Sequence, residues 1–231
     1  NCGKNMKTYS IILDVSNLNF LNNQITFSDT SNKCGCVELL KIGTHTFQYN
    51  LFKNANYDNN MHKSAGIQYE STASYTSLVV ENNIFDHING NNQGRCIFLS
   101  IKTNSLSLKN NTFQSCPSGG CLVKIIIQDG TSYFTINQCK FISNEYNGAS
   151  DDLIQSTPNV FIQNTINDCY TKIITVTFEN CIFEKNNNLK NGGGLLYGNN
   201  KYTANTKVVL RRCEFKNNNA ALNGGALSIQ V

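Results

Sequence analysis

The feature that most constrains this chain is a phenylalanine closing a short apolar motif at Phe20, Phe52, Phe85, Phe113, Phe141, Phe183 and Phe215, with spacings of 32, 33, 28, 28, 42 and 32 residues. Self-similarity at such a period marks a repeat architecture. Ahead of most of these phenylalanines two apolar residues alternate with polar ones, as in Leu78 and Val80, Leu106 and Leu108, or Val176 and Phe178; His45 beside Phe47 is the departure. Period-two alternation is a strand with one buried face. A second ladder, Leu18, Asn50, Asn83, Asn111, Cys139, Cys181 and Cys213, is out of step with that alternation and predicts a bend. A third follows the phenylalanine: Asn23, Ala55, Ile88, Cys116, Asn144, Asn186 and Asn218. Asn there is expected to satisfy turn backbone and to tolerate left-handed geometry.

Farther along each unit a small-residue turn precedes an aliphatic position, Val37, Ile67, Ile97, Leu122, Ile154, Leu196 and Leu227. The unit therefore holds two or three short strands, with no helical periodicity and no Asn-Gly hairpin joining neighbours. Strands that cannot pair within a unit must pair one repeat away, in parallel and in register. The expected fold is all-β, a right-handed parallel β-helix (solenoid) of about seven coils with Asn-rich loops, spanning residues 1–231 as one segment of a longer repeat protein. At about 4.8 Å per rung such a rod is roughly 30 Å long. The spaced leucine consensus of leucine-rich repeats is missing.

Charged residues are only 15% of the chain, so surface polarity rests on amides and hydroxyls, and the formal charge of +4 is spread without a basic run longer than Arg211-Arg212. That argues against nucleic acid as a partner. No apolar run is long enough for a bilayer span, so membrane insertion by this segment is not expected. The 10 cysteines are an even number without CxxC pairs, which favours disulfides and an oxidising, extracellular compartment over zinc. Cys181 with Cys213, and Cys96 with Cys121, share ladder positions in successive units and are the expected staples, since stacked Cα atoms stand inside the disulfide window. A reduced column of small apolar residues is the alternative. Asn110-Asn111-Thr112 is an N-glycosylation sequon, and Asn110 a candidate acceptor.

Gly224-Gly225-Ala226-Leu227 and Phe215-Lys216-Asn217-Asn218 resemble the paired GGAI and FxxN repeats of the chlamydial polymorphic outer membrane proteins. Phe183 to Asn186, Phe141 to Asn144 and Phe20 to Asn23 repeat the second motif, and Gly193 to Leu196 and Gly119 to Leu122 the first. The resemblance implies a pectin-lyase-like β-helix serving as an adhesin or surface fibre, and similar repeats occur in large surface proteins of some protists.

Enzymes of that fold class act on polysaccharides, which makes the carboxylates the chemistry to weigh. Asp151-Asp152 is the only adjacent acidic pair, and neighbours on a strand point to opposite faces, whereas glycoside hydrolysis needs two carboxyls facing one sugar. His45, His62 and His87 share no phase. Glu81, Lys109, Asn137, Glu179 and Arg211 form an exposed ladder of mutually neutralising charges. No catalytic, metal or cofactor constellation is legible. The expectation is a noncatalytic extracellular structural or adhesive segment of a cell-surface or filament protein. The competing classes are a carbohydrate-binding module using Tyr57, Tyr146, Tyr197 or Tyr202 on surface glycans, and a polysaccharide lyase or hydrolase. Expected partners are other coils of the chain or neighbouring copies at the open ends, because an uncapped final strand exposes unpaired backbone.

Overall fold

The computed structural model describes residues 9–26, 34–39, 43–57, 64, 66–70, 77–90, 95–101, 105–117, 121–127, 132–146, 159–164, 173–188, 195–198, 205–222 and 224–230. Every strand pairing among them is parallel, and each strand pairs with its counterpart one repeat away, so the chain winds as a β-solenoid. Three sheets form its walls. The long-strand sheet runs from Asn17–Leu21 through Thr44–Gln48, Ser77–Glu81, Ser105–Lys109, Ser132–Asn137 and Ile173–Glu179 to Asn205–Arg211. The phenylalanine sheet is built of three-residue strands, Gln24–Thr26, Leu51–Lys53, Ile84–Asp86, Thr112–Gln114, Lys140–Ile142, Ile182–Glu184 and Glu214–Lys216, which number coils one to seven below. The closing sheet has 6 strands, from Tyr9–Leu13 to Val160–Asn164, and a separate 2-stranded piece pairs Leu195–Gly198 with Leu227–Gln230. Among the described residues the faces thus carry different numbers of strands.

The phenylalanine column explains much of the cohesion. Phe52, Phe85, Phe113, Phe141 and Phe183 are fully buried. Their rings, continued by Phe215, stack with centroids 4.9–5.0 Å apart and planes within 8°. Each buried ring contributes about 1.5–3 kcal/mol by leaving water. Each offset-stacked pair adds roughly 0.5–1.5 kcal/mol. Across the lumen the inward columns of the long sheet (Leu78, Leu106, Phe134, Val176; Phe47, Val80, Leu108, Ile136, Phe178) and of the closing sheet (Val37, Ile67, Ile97, Val123; Leu39, Leu99, Ile125) complete one core.

Short strands need sharp corners, and left-handed residues supply them. Among the described residues, the 13 non-glycine residues with positive φ fall in two columns: Asn22, Tyr49, Asn82, Asn110, Gln138, Asn180 and Arg212 before the phenylalanine strand, and Asn54, His87, Ser115, Ser143, Lys185 and Asn217 after it. Asn tolerates this region best, yet Tyr, Gln, His, Ser, Lys and Arg also occupy it. The left-handed residue stands one place before the ladder residue, so the ladder asparagines themselves are not the left-handed ones; they turn inward.

Two register expectations are corrected. Phe20 lies opposite Phe47 in the long sheet, with ring centroids 5.4 Å apart, and Ile25 takes the first place in the phenylalanine column opposite Phe52. Coil one is therefore displaced by five residues, which brings Asn23 rather than Leu18 beneath Asn50 and lets the Asn23 N–H and Nδ2 donate to Asn50 Oδ1 at 2.9 and 3.1 Å. In the closing sheet Ile97 pairs with Val123 rather than Leu122, Val123 with Val160, and Leu195 rather than Leu196 with Leu227. Leu122 is the turn residue whose carbonyl accepts the N–H groups of Cys96 and Ile97, both at 3.0 Å. Ile154 lies outside the described residues, as do parts of the Asn-rich loops.

Candidate functional site

The corners carry the polar chemistry of the interior. At most bends the left-handed residue and the residue after the ladder position donate their N–H groups to backbone carbonyls of adjacent coils, as Asn82 to Lys109 and Ile84 to Asn50; Pro117, after Cys116, has no N–H to give. The ladder residue's own N–H is left facing inward, where an unpaired donor costs about 1–3 kcal/mol. At the first corner an asparagine one coil on accepts it. The N–H and Nδ2 of Asn50 donate to Asn83 Oδ1 at 3.0 and 2.9 Å, and those of Asn83 to Asn111 Oδ1, both at 3.0 Å. Each amide also reaches back to the preceding coil: Asn50 Nδ2 donates to the Phe20 carbonyl, Asn83 to Phe47 and Asn111 to Val80, at 2.8, 2.9 and 2.7 Å. One side chain thus ties three coils.

From coil five the same corner holds cysteine, and the thiols take over both jobs. Cys139, Cys181 and Cys213 direct Sγ to the carbonyls of Leu108, Ile136 and Phe178 at 3.6, 3.2 and 3.4 Å, the direct continuation of the carbonyl column used by the amides. The backbone N–H groups of Asn111 and Cys139 in turn reach the sulfurs of Cys139 and Cys181. Burial pushes the Cys139 thiol up to about 12 and raises Cys181 as well. At the second corner the order is reversed. Ala55, Ile88 and Cys116 come first, and Asn144, Asn186 and Asn218 follow, with Asn144 donating to Asn186 Oδ1 at 3.2 and 3.0 Å and Asn186 to Asn218 Oδ1 at 3.1 and 2.9 Å. The Asn of FxxN is this second-corner residue in coils five to seven; in coil one the same tetrapeptide, Phe20 to Asn23, belongs to the long sheet and the first corner.

Neither expected staple, Cys181 with Cys213 or Cys96 with Cys121, is bonded in the structure. Stacked cysteines share one direction, each aimed at a different carbonyl, whereas a disulfide needs side chains turned toward each other. Cys121 is moreover level with Arg95, not Cys96, since the Arg95 N–H donates to the Cys121 carbonyl at 2.7 Å. The partner that Cys96 faces is Cys116, Sγ to Sγ 4.0 Å, with both residues fully buried. Arg95, also fully buried, donates to the carbonyls of Cys116 at 3.2 Å, Glu145 at 3.0 Å and Pro117. Sequence reasoning did not single out Arg95; a lone Arg in a small-residue turn carries no periodic signal.

The carboxylates are engaged in stacking. Glu81 accepts from Gln48 Nε2 at 3.1 Å and Ser107 Oγ at 2.9 Å, and Glu179 from Arg212 at 2.6 Å. Asp86 lies 2.7 Å from His87 Nδ1 and 3.5 Å from Lys53 Nζ. Gln68 Nε2 donates to both Glu38 and Glu70 at 3.3 Å, which places two carboxylates about one amide. The ladder Glu81, Lys109, Asn137, Glu179 and Arg211 is in register as the sequence implies, with Lys109 and Arg211 exposed and the other three half-buried. His45 is fully buried in the apolar column, edge-on to Tyr69 at 5.7 Å. Asp151, Asp152, His62 and Tyr202 lie outside the described residues, and of Tyr57, Tyr146 and Tyr197 only the backbone is described. Among the described residues no group of three or more His, Cys, Asp or Glu could hold a metal ion, and no helix is long and apolar enough to cross a membrane. Asn110 is exposed at a first-corner left-handed position, its Nδ2 donating to Asn82 Oδ1 at 2.6 Å. Compared with family models, curated proteins and solved structures, the chain gives no match.

Proposed function

We propose that the chain is a noncatalytic structural or adhesive β-helix segment of an extracellular cell-surface or filament protein, of the polymorphic outer membrane protein type. The observation that carries this reading is where the polar chemistry goes: corner amides and thiols are committed to the neighbouring coils, as in Asn50, Asn83 and Asn111. A rod built this way is stiff and repetitive, which suits a spacer or a display surface. The GGAI and FxxN resemblance supports the surface location, and Asn110 at an exposed corner is the glycan acceptor such a location would use. Further coils or neighbouring copies are the partners such a rod would take. Labelling of intact source cells with a membrane-impermeant reagent tests the location: recovery of the labelled chain supports it, and labelling only after lysis overturns it. A mass decrease on enzymatic deglycosylation, lost in Asn110→Gln, tests the acceptor.

One observation favours a second reading, a carbohydrate-binding module. Outward positions of the long sheet align hydroxyls in register over coils four to six, Ser107 beside Thr135 and Thr135 beside Thr177, a short polar row on which sugar hydroxyls could be matched. Glycan-array binding lost on replacing Thr135 and Thr177 by Val would favour this reading over a purely structural one. Turnover of pectin-like polymers by the intact chain would overturn the noncatalytic reading.

A further inference from the structure

The pair Cys96 and Cys116 is unlike every other arrangement of thiols described above. Cys139, Cys181 and Cys213 stack in one column and point the same way, whereas Cys96 and Cys116 come from different places in successive coils and face each other. Cys96 leads into the closing strand of coil three, and Cys116 is the second-corner residue of coil four. Their sulfurs stand 4.0 Å apart within the sealed interior. Closing that gap needs a shift of about 2 Å, which side-chain rotation with slight corner movement supplies.

We infer that Cys96 and Cys116 are a built disulfide site that staples coil three to coil four as the chain folds. Three surroundings point the same way. Cys96 is held in place from below, because a Cβ on Gly66 would stand 2.1 Å from the Cys96 carbonyl oxygen, so only glycine admits this approach. The Arg95 guanidinium is anchored on the carbonyls of Cys116 and Glu145, beside the pair. Burial alone would raise both thiols; at Cys116 the hydrogen bond from Cys96, the Arg95 charge and the Ile88 N–H outweigh it and bring the group below its ordinary value, while Cys96 is raised. With Cys116 attacking first, Cys96 resolves; the reverse order gives the same bond.

The site also sits where corner bonding is weakest. Ala55 and Ile88 precede Cys116 in the second-corner column, and neither has a side-chain donor; the amide ladder there begins only with Asn144, which accepts the Cys116 N–H at 3.1 Å. A covalent bond between coils three and four would replace the missing amides at this corner.

The chemistry is an exchange with a small or protein disulfide. The Cys116 thiolate attacks one sulfur of oxidised glutathione and expels one glutathione, which takes up a proton. Cys96 then gives up its proton and attacks Cys116 Sγ, forming the Cys96–Cys116 bond and releasing the second glutathione as thiol. Two protein thiols are oxidised and one glutathione disulfide is reduced. Because both sulfurs are buried in the finished fold, the exchange runs while coils three and four close.

The inference does not rest on cellular location, and its test avoids it. The reduced, unfolded chain is refolded in a buffer of reduced and oxidised glutathione and shown to melt cooperatively. Free thiols are then alkylated under denaturing conditions, and the unreduced digest is mapped by mass spectrometry; should refolding fail, the chain secreted into oxidising medium is mapped instead. The expected result is one linkage between Cys96 and Cys116, alkylated Cys139, Cys181 and Cys213, an unchanged linkage in Cys121→Ser, and a melting temperature lowered by on the order of 5–10 °C on reduction. Alkylation of Cys96 or Cys116, or linkage of either to another cysteine, overturns the inference. Failure here with surface labelling intact would leave the proposed location standing.

Discussion

Coils one to four and coils five to seven solve one problem with two chemistries. In the first group the first corner is held by amides, and in the second group by thiols that use the same carbonyl column. The second corner is apolar or thiol first and amide afterwards. The difference teaches that the corner demands a side chain able both to donate and to accept, and that Asn and Cys are alternative answers of unequal strength. Neutral amide bonds contribute about 0.5–1.5 kcal/mol net each, while a thiol is a weaker donor and acceptor.

The sharpest way to break the amide half is Asn83→Leu. It strands the Asn50 N–H in the interior and removes the amide's bonds to Asn111 and to the Phe47 carbonyl, with an expected loss of about 3–5 kcal/mol in urea unfolding. Fast hydrogen exchange at Asn50 should accompany it, and an unchanged midpoint would refute the ladder's role. The thiol half should instead break with alkali. A buried thiol raised from 9.0 to about 12, as at Cys139, is bound as the neutral form in the fold, so its stability is intact below pH 9.0 and is lost as pH rises toward 12. Melting curves should fall on the order of 1 kcal/mol per pH unit across that window. Cys139→Ser, a hydroxyl without that titration, should flatten the slope.

Smaller effects sharpen the comparison. Cys181→Val keeps the volume but removes the donor to Ile136 and the acceptor for the Cys139 N–H, and is expected to cost about 1–2 kcal/mol, less than Asn83→Leu. Cys139→Asn extends the amide ladder by one coil from Asn111 and should raise stability by about 0.5–1 kcal/mol; destabilisation would mean that coil five has no room for the amide. Glu179→Gln, which loosens the exposed pair with Arg212, should change stability by less than about 0.5 kcal/mol.

The legible part of this fold was whatever repeats in kind. Phenylalanine at Phe85, Phe113 and Phe141 shows in the sequence because its ring must lie over another ring. The first coil misleads because Ile25 replaces the ring and the nearby Phe20-Leu21-Asn22-Asn23 imitates the motif; only the partner of Asn50 decides between them. The closing sheet was misjudged by one residue where Leu122 and Val123 are equally apolar, and with it went the match of Cys96 to Cys121. The left-handed columns left no signature, since Tyr49, Gln138, Lys185 and Arg212 share a backbone shape and nothing in side-chain chemistry. Cys139 reads as a small apolar residue or half a disulfide, and its true equivalence to Asn111 is visible only once both are seen to address the same row of carbonyls.

The two left-handed columns also bear on how such a rod changes length over evolutionary time. Because each bend recurs at the same place in every coil, a duplicated coil inserted within the amide half, or within the thiol half, lands between neighbours that already complement it. A copy carried across the boundary after coil four arrives with its amide at the wrong corner. Growth by duplication is therefore free within each half and restricted at the junction.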